Sequence, residues 1–110
     1  MSATVKHTSV HELYQHIKDG DDVVIIDCRQ PDEYTGPLGH VPGSRLIPLS
    51  QVASAELDIA QDTPIRVICR TGGRSIPGAK RIKDRGFSDV ASVDGGMVEW
   101  NRHGYPVEKS

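Results

Sequence analysis

Apolar residues recur along this chain in two rhythms. Val10, Leu13, Tyr14 and Ile17 fall at helical spacing, three and four apart. The stretch Ser9-Val10-His11-Glu12 stands in front of them as a capping box, and Gly20 supplies a stop. The second rhythm is short and continuous. Val23 to Asp27 is an apolar strand of the kind buried on both faces of a parallel sheet. Ile65 to Ile68 behind Pro64, and the stretch Phe87 to Val93, read the same way. Leu46-Ile47 is a short strand ending before Pro48, and Thr4-Val5-Lys6 a short first strand. Helices are predicted from Leu49 to about Leu57, from about Ile76 to Arg85 and from Val98 to Arg102. The second of these has Ala79 and Ile82 on its inner face, Ser75 as N-cap and Gly86 as stop. Pro77 is tolerated there because it falls in the first turn. Residues 30–44, rich in Gly and Pro, read as a loop with one helical turn, while Gly95-Gly96 turns the chain and Gly104-Tyr105-Pro106 closes it.

The resulting alternation, β-α-β-(loop)-β-α-β-α-β-α, predicts an α/β fold: a parallel-stranded central sheet with helices on both faces. In such sheets ligands bind beyond the C-terminal ends of the strands, which directs attention to the residues after Ile26, Ile68 and Val93.

The length of 110 residues leaves room for a single domain with one core, spanning 1–110. With 36% hydrophobic and 25% charged residues, a folded, water-soluble domain is expected. No apolar run approaches the ~18 residues of a membrane span. Residues 1–6 carry no apolar signal-peptide core, so a cytoplasmic location is the default expectation. A net charge of -2 and 5% aromatic residues argue against a nucleic-acid surface. The charge is unevenly spread. Residues 70–85 hold six basic side chains and one acid, Asp84, in an otherwise acidic chain. Such a segment suits a small anionic substrate or an acidic partner, although for Lys80, Lys83 and Arg85 a solvated helix face is the preferred reading.

The two cysteines, Cys28 and Cys69, form neither a Cys-x-x-Cys pair nor a metal-ligand spacing, and are expected to be free. Only His7 and His11 stand at helical spacing, and with no third ligand a zinc site is not expected. The chemistry concentrates in Cys69-Arg70-Thr71-Gly72-Gly73-Arg74-Ser75. A cysteine closes a buried strand, then come small residues, an arginine and a helix start. Two glycines let the backbone curl so that several N–H groups converge on one centre. The helix start near Ser75 adds the positive end of its dipole, and Arg70 and Arg74 add formal charge. A thiol in that field has a lowered pKa, and the thiolate is the nucleophile. A lone cysteine after an apolar strand is ordinarily a core residue. The glycine-built, arginine-flanked loop makes Cys69 the reactive one, and Cys28, without such a loop, a buried inert thiol.

The chain resembles the rhodanese domain family in its single-domain thiosulfate sulfurtransferase form. The family's Cys-x-x-Gly-x-Arg loop corresponds to Cys69, Gly72 and Arg74. Asp27-Cys28-Arg29 resembles its Asp-x-Arg, and Glu33-Tyr34 with Gly39-His40-Val41-Pro42-Gly43 its Glu-[Phe/Tyr]…Gly-His segment. Gly95-Gly96-Met97-Val98-Glu99-Trp100, with Gly104-Tyr105-Pro106-Val107, resembles its Gly-Gly-x-x-x-Trp…Gly-x-Pro ending. The likeness runs in order from about residue 4 to 107. Ser44, where the family often has Ala, and Ile76-Pro77, early in the active-site helix, depart from it.

The resemblance implies a two-step sulfur relay needing no metal or organic cofactor. Cys69 takes the outer sulfur of thiosulfate as a persulfide and hands it to cyanide or a thiol. Catalysis then falls to Cys69, and substrate binding to Arg70, Thr71, Gly72, Gly73, Arg74 and Ser75. Asp27 and Arg29 organise the loop, with Asp27 the expected partner of Arg74, while Arg70 stays free to touch substrate. Trp100 is expected in the core, and His40 in a turn. One alternative is a carrier module that passes persulfide between proteins, with the basic segment as docking face. Another is a phosphatase or arsenate reductase, disfavoured because four residues rather than five separate Cys69 from Arg74. A purely structural or regulatory module is disfavoured by the nucleophile itself.

Overall fold

The computed structural model describes residues 5–110. Five parallel strands form one sheet: β1 (Lys6–Thr8), β2 (Val24–Asp27), β3 (Arg45–Leu46), β4 (Ile65–Ile68) and β5 (Val90–Val93), in the order β1-β5-β4-β2-β3. Four helices connect and flank them: α1 (Val10–Lys18), α2 (Pro31–Tyr34), α3 (Ser75–Lys83) and α4 (Gly96–Arg102). The sheet is buried on both faces. Ile26, Cys28, Ile65, Val67, Cys69 and Val90 point one way and pack with Ala79 and Ile82 of α3. Ile25, Ile68 and Val93 point the other way, against Val10 and Leu13 of α1 and Met97 and Trp100 of α4. Alternate residues of a strand face opposite sides, so this parity also dictates where Asp27, Cys28 and Cys69 aim.

The α1 capping box is formed: Ser9 Oγ accepts from the Glu12 N–H at 3.0 Å, and the Ser9 N–H reaches Glu12 Oε1 at 3.3 Å. Gly20 follows the helix at φ +73°, a conformation favouring glycine. Thr4 of the expected first strand lies outside the described residues, and β1 runs from Lys6 to Thr8. His7 is therefore a strand residue, bound to Asp94 at 2.7 Å, while His11 on α1 meets the Tyr105 hydroxyl at 3.2 Å.

The helix expected from Leu49 to Leu57 is reduced to a 3-10 turn over Leu49–Gln51. Its carbonyls are spoken for by arginines instead. Arg81 of α3 and Arg85 just beyond it donate to Leu49 O and Val52 O, and Arg45 donates to Leu57 O. Val52 and Leu57 still bury their side chains. This also corrects the reading of Arg85 as part of a solvated face: its guanidinium fastens the 3-10 segment to α3. His40 is likewise more than a turn residue. It is buried, stacked 3.6 Å from Tyr34, and its backbone pairs with Glu108.

Candidate active site

The site lies where β4 ends. Beyond Ile68 the chain turns back over Cys69 and enters α3, and the turn aims two amides at the sulfur. Cys69 Sγ accepts from the Gly72 N–H at 3.1 Å and the Ser75 N–H at 3.3 Å, with Ser75 Oγ 3.5 Å away. Gly72 makes this turn at φ +106°, a region L side chains rarely occupy, and an added Cβ would stand 3.3 Å from the Gly95 nitrogen. Gly73 has no such need: its φ is ordinary and open space surrounds its Cβ position. One glycine, rather than the two expected, is thus demanded by the turn.

Ser75 is fully buried, but it does not act as the N-cap. Arg74 occupies that position and Ser75 is the first helical residue, with its hydroxyl turned inward. Ser75 Oγ sits 3.2 Å from Gly72 O and 2.8 Å from Ser92 Oγ of β5, so the hydroxyl ties the loop, the helix and the sheet together. Underneath, α4 supports the loop. The Met97 N–H donates to Cys69 O at 2.8 Å and the Val98 N–H to Arg70 O at 3.0 Å. That approach requires Gly96, whose added Cβ would fall 2.4 Å from Cys69 O.

The charges around the loop are paired in a pattern that sequence order did not show. Arg74 binds Glu33 of α2 through two parallel hydrogen bonds of 2.7 and 2.8 Å, not Asp27. The pleat explains the difference. Asp27 follows Ile26 and so points to the face opposite α3. There it is consumed by Arg29, with contacts from Nε, Nη2 and the backbone N–H at 2.7–3.1 Å. Both members of that pair are buried, and Arg29 also reaches Glu33 O and Gly39 O. The hydrogen bonds from Arg74 pull the Glu33 carboxyl down to about 2. The Arg70 side chain is exposed and has no hydrogen-bond partner among the described residues. It lines, with Arg29, Glu33, Pro37 and Leu38, a cavity of ≈ 230 Å³ beside the loop. Thr71, Gly73 and Ile76 are exposed.

The Cys69 thiol is held well below the ordinary thiol range. The largest cause is the neighbouring Cys28 thiol; the Ser75 hydroxyl and the Ser75 and Gly72 amides add to it, while burial opposes. Cys28 is pushed far above that range by the neighbouring Cys69 sulfur and by burial. A sulfur held by amide donors, in a loop whose exposed Arg70 lines a cavity, is equipped to take an atom from an anionic molecule. No cluster of three or more His, Cys, Asp or Glu among the described residues could hold a metal ion.

Gly72 and Ser75 thus reach the Cys69 sulfur, Arg74 ties the loop to Glu33, and the Asp27–Arg29 pair holds the Glu33 carbonyl. Sequence reasoning missed Gly96, Ser92 and the Arg74–Glu33 pair, and it did not place Cys28 next to Cys69. The parity signal for Cys28 was present, since both cysteines directly follow a strand.

Comparison with known proteins agrees with this geometry. The chain is 36% identical over 95 residues to the thiosulfate sulfurtransferase GlpE of Pseudoalteromonas translucida, covering 86% of this chain and 88% of that one. It is 36% identical over 110 residues to GlpE of Pseudomonas paraeruginosa, covering 100% and 96%. The crystal structure of a rhodanese-related protein from Thermoplasma volcanium superposes with a TM-score of 0.82 at 28% identity, covering 96% and 99%. The family model for the rhodanese-like domain matches residues 9–103, and the chain belongs to that family.

Proposed function

We propose that this protein is a sulfurtransferase that moves the outer sulfur of thiosulfate, through a Cys69 persulfide, to cyanide or a thiol. The observation that carries this reading is the Cys69 sulfur accepting the Gly72 and Ser75 amides at the start of α3. Those donors favour the thiolate, and they lie where a small sulfur anion can be cradled. In the first half-reaction the thiolate attacks the outer sulfur of thiosulfate. A new Sγ–S bond forms, the sulfur–sulfonate bond breaks, and its electron pair leaves with sulfite. In the second, the acceptor attacks the outer sulfur of the persulfide, and the pair of the Sγ–S bond returns to Cys69. Cyanide departs as thiocyanate. Arg70 attracts and orients the dianion, while Arg74, engaged by Glu33, holds the loop in shape.

The short loop suits sulfane sulfur better than a phosphate ester, which demands donors around a whole tetrahedron. Intact-mass analysis tests the reading. Thiosulfate should add one sulfur atom to Cys69 and cyanide should remove it, while Cys69→Ser should gain none and make no thiocyanate. Release of phosphate from an aryl phosphate, with no sulfur gained, would replace sulfur transfer by phosphatase chemistry.

A second reading is favoured by Ile76, an exposed large apolar side chain on the first turn of α3, six residues after exposed Arg70. An apolar and cationic rim suits a docking protein, and the domain would then carry persulfide between partners. Slow turnover with thiosulfate but fast loading from a protein persulfide would select it.

A further inference from the structure

Cys28 closes β2 and Cys69 closes β4, and these strands are neighbours in the sheet. Asp27 is registered with Ile68, so the two cysteines stand side by side one step further on. Both side chains point toward α3, within one buried cluster. Cys28 is fixed on every side. Its N–H binds Ile68 O at 3.0 Å, and its carbonyl accepts from the Leu49 N–H at 3.0 Å. Gly78 of α3 brings its backbone down so closely that an added Cβ would lie 3.5 Å from Cys28 Sγ. Both cysteines are free.

We propose that Cys28 is a positioning residue, whose S–H donates to the Cys69 thiolate from the sheet side while the loop amides donate from the other. The inference rests on Cys69 being the nucleophile. Two adjacent buried thiols cannot both ionise at modest cost, so the pair shares one negative charge. The amides of Gly72 and Ser75 and the Ser75 hydroxyl all reach Cys69, which decides where that charge resides. Burial and the nearby Asp27 carboxylate keep the proton on Cys28, against the weaker pull of Arg74. Among the charged groups, Arg74 faces the pair from α3, Asp27 flanks it on β2, and Glu33 of α2 faces it only through Arg74. A proton held on Cys28 makes it a donor, not a rival nucleophile. The same donor makes Cys69 a better leaving group when an acceptor takes the outer sulfur, since the departing thiolate is the species it stabilises.

The test reads Cys69 directly, without sulfur transfer: the rate of iodoacetamide reaction at the Cys69 peptide against pH, followed by mass, in the full chain. The parent should have a midpoint below the ~8.5 of a free thiol. Cys28→Ala should move that midpoint upward by about one pH unit or more, the size expected for losing one hydrogen bond to a charged group. Cys28→Ser, which keeps a donor of nearly the same shape, should stay near the parent. A midpoint unmoved in Cys28→Ala, or moved equally in both variants, overturns the inference while leaving the nucleophile intact. An ordinary thiol midpoint in the parent overturns both the inference and the thiolate reading. Cys28→Val serves as a second variant that fills the space without a donor, and should match Cys28→Ala.

Discussion

At the residue scale, charge placement separates the two arginines of the loop. The exposed Arg70 side chain makes no hydrogen bond or ion pair among the described residues, so Arg70→Ala should leave the thermal midpoint unchanged. It should raise the thiosulfate KM about tenfold, the worth of one charge-assisted contact. An unchanged KM in steady-state kinetics would remove Arg70 from substrate binding. Asp27 is the opposite case. It is fully buried beneath a fully buried arginine. Asp27→Asn would leave the Arg29 guanidinium without its counter-charge, a change that costs about 3–5 kcal/mol when a buried pair is broken. Urea denaturation should show that loss, with activity falling as α2 and residues 39–40 lose the arginine that holds them. The segment Asp27-Cys28-Arg29 was visible in the sequence. That its acid and base pair with each other was not, because pairing depends on which face of the strand each side chain takes and on what lies there.

At the scale of elements, the loop from Cys69 to Arg74 is held from below by α4. Gly96 has φ +55°, and its Cβ position is occupied by the carbonyls of Cys69 and Arg70. Gly96→Ala should therefore push α4 off the loop, breaking the hydrogen bonds from the Met97 and Val98 amides. The expected result is a loss of several kcal/mol in a denaturant titration, and thiocyanate production should fall steeply. Gly73→Ala is the control: with ordinary φ and open space it should fold like the parent. The Gly95-Gly96 pair was legible as a turn, but only packing shows that the turn is part of the site. The failed helix at 49–57 teaches the same lesson in reverse. Arg45, Arg81 and Arg85 take its carbonyls and fix an irregular segment.

At the scale of the whole molecule, sheet topology gathers the ends of β2 and β4 beside the starts of α3 and α4. Basic and acidic groups from distant parts of the chain meet there, which gives the fold a characteristic acid response. Glu33 titrates near 2 in the folded chain against 4.5 in its ordinary state. Its folded pKa is depressed, so its stabilisation is complete above 4.5 and is lost as pH falls toward 2. Because the pair with Arg74 is partly exposed, with side chains 37% and 25% accessible, solvent screens it and the loss is at most about 1 kcal/mol. In Glu33→Gln the acid limb of stability against pH should be flatter between those values. A curve superimposing on the parent's would show that the pair adds no stability.

The chain order of strands and helices was set by residue pattern alone. Continuous apolar tetrads make buried strands, and a capping box with 3.6-residue spacing makes a helix. A cysteine leading into glycines and arginines at a strand end declares an anion-binding turn. Those features are local, and neighbouring residues suffice to produce them. Register, parity and helix docking joined residues far apart in sequence: Arg74 with Glu33, Gly96 with the carbonyl of Cys69, and Cys28 with Cys69. Such contacts arise only when strands lie side by side and helices close over them, so tertiary structure decided them.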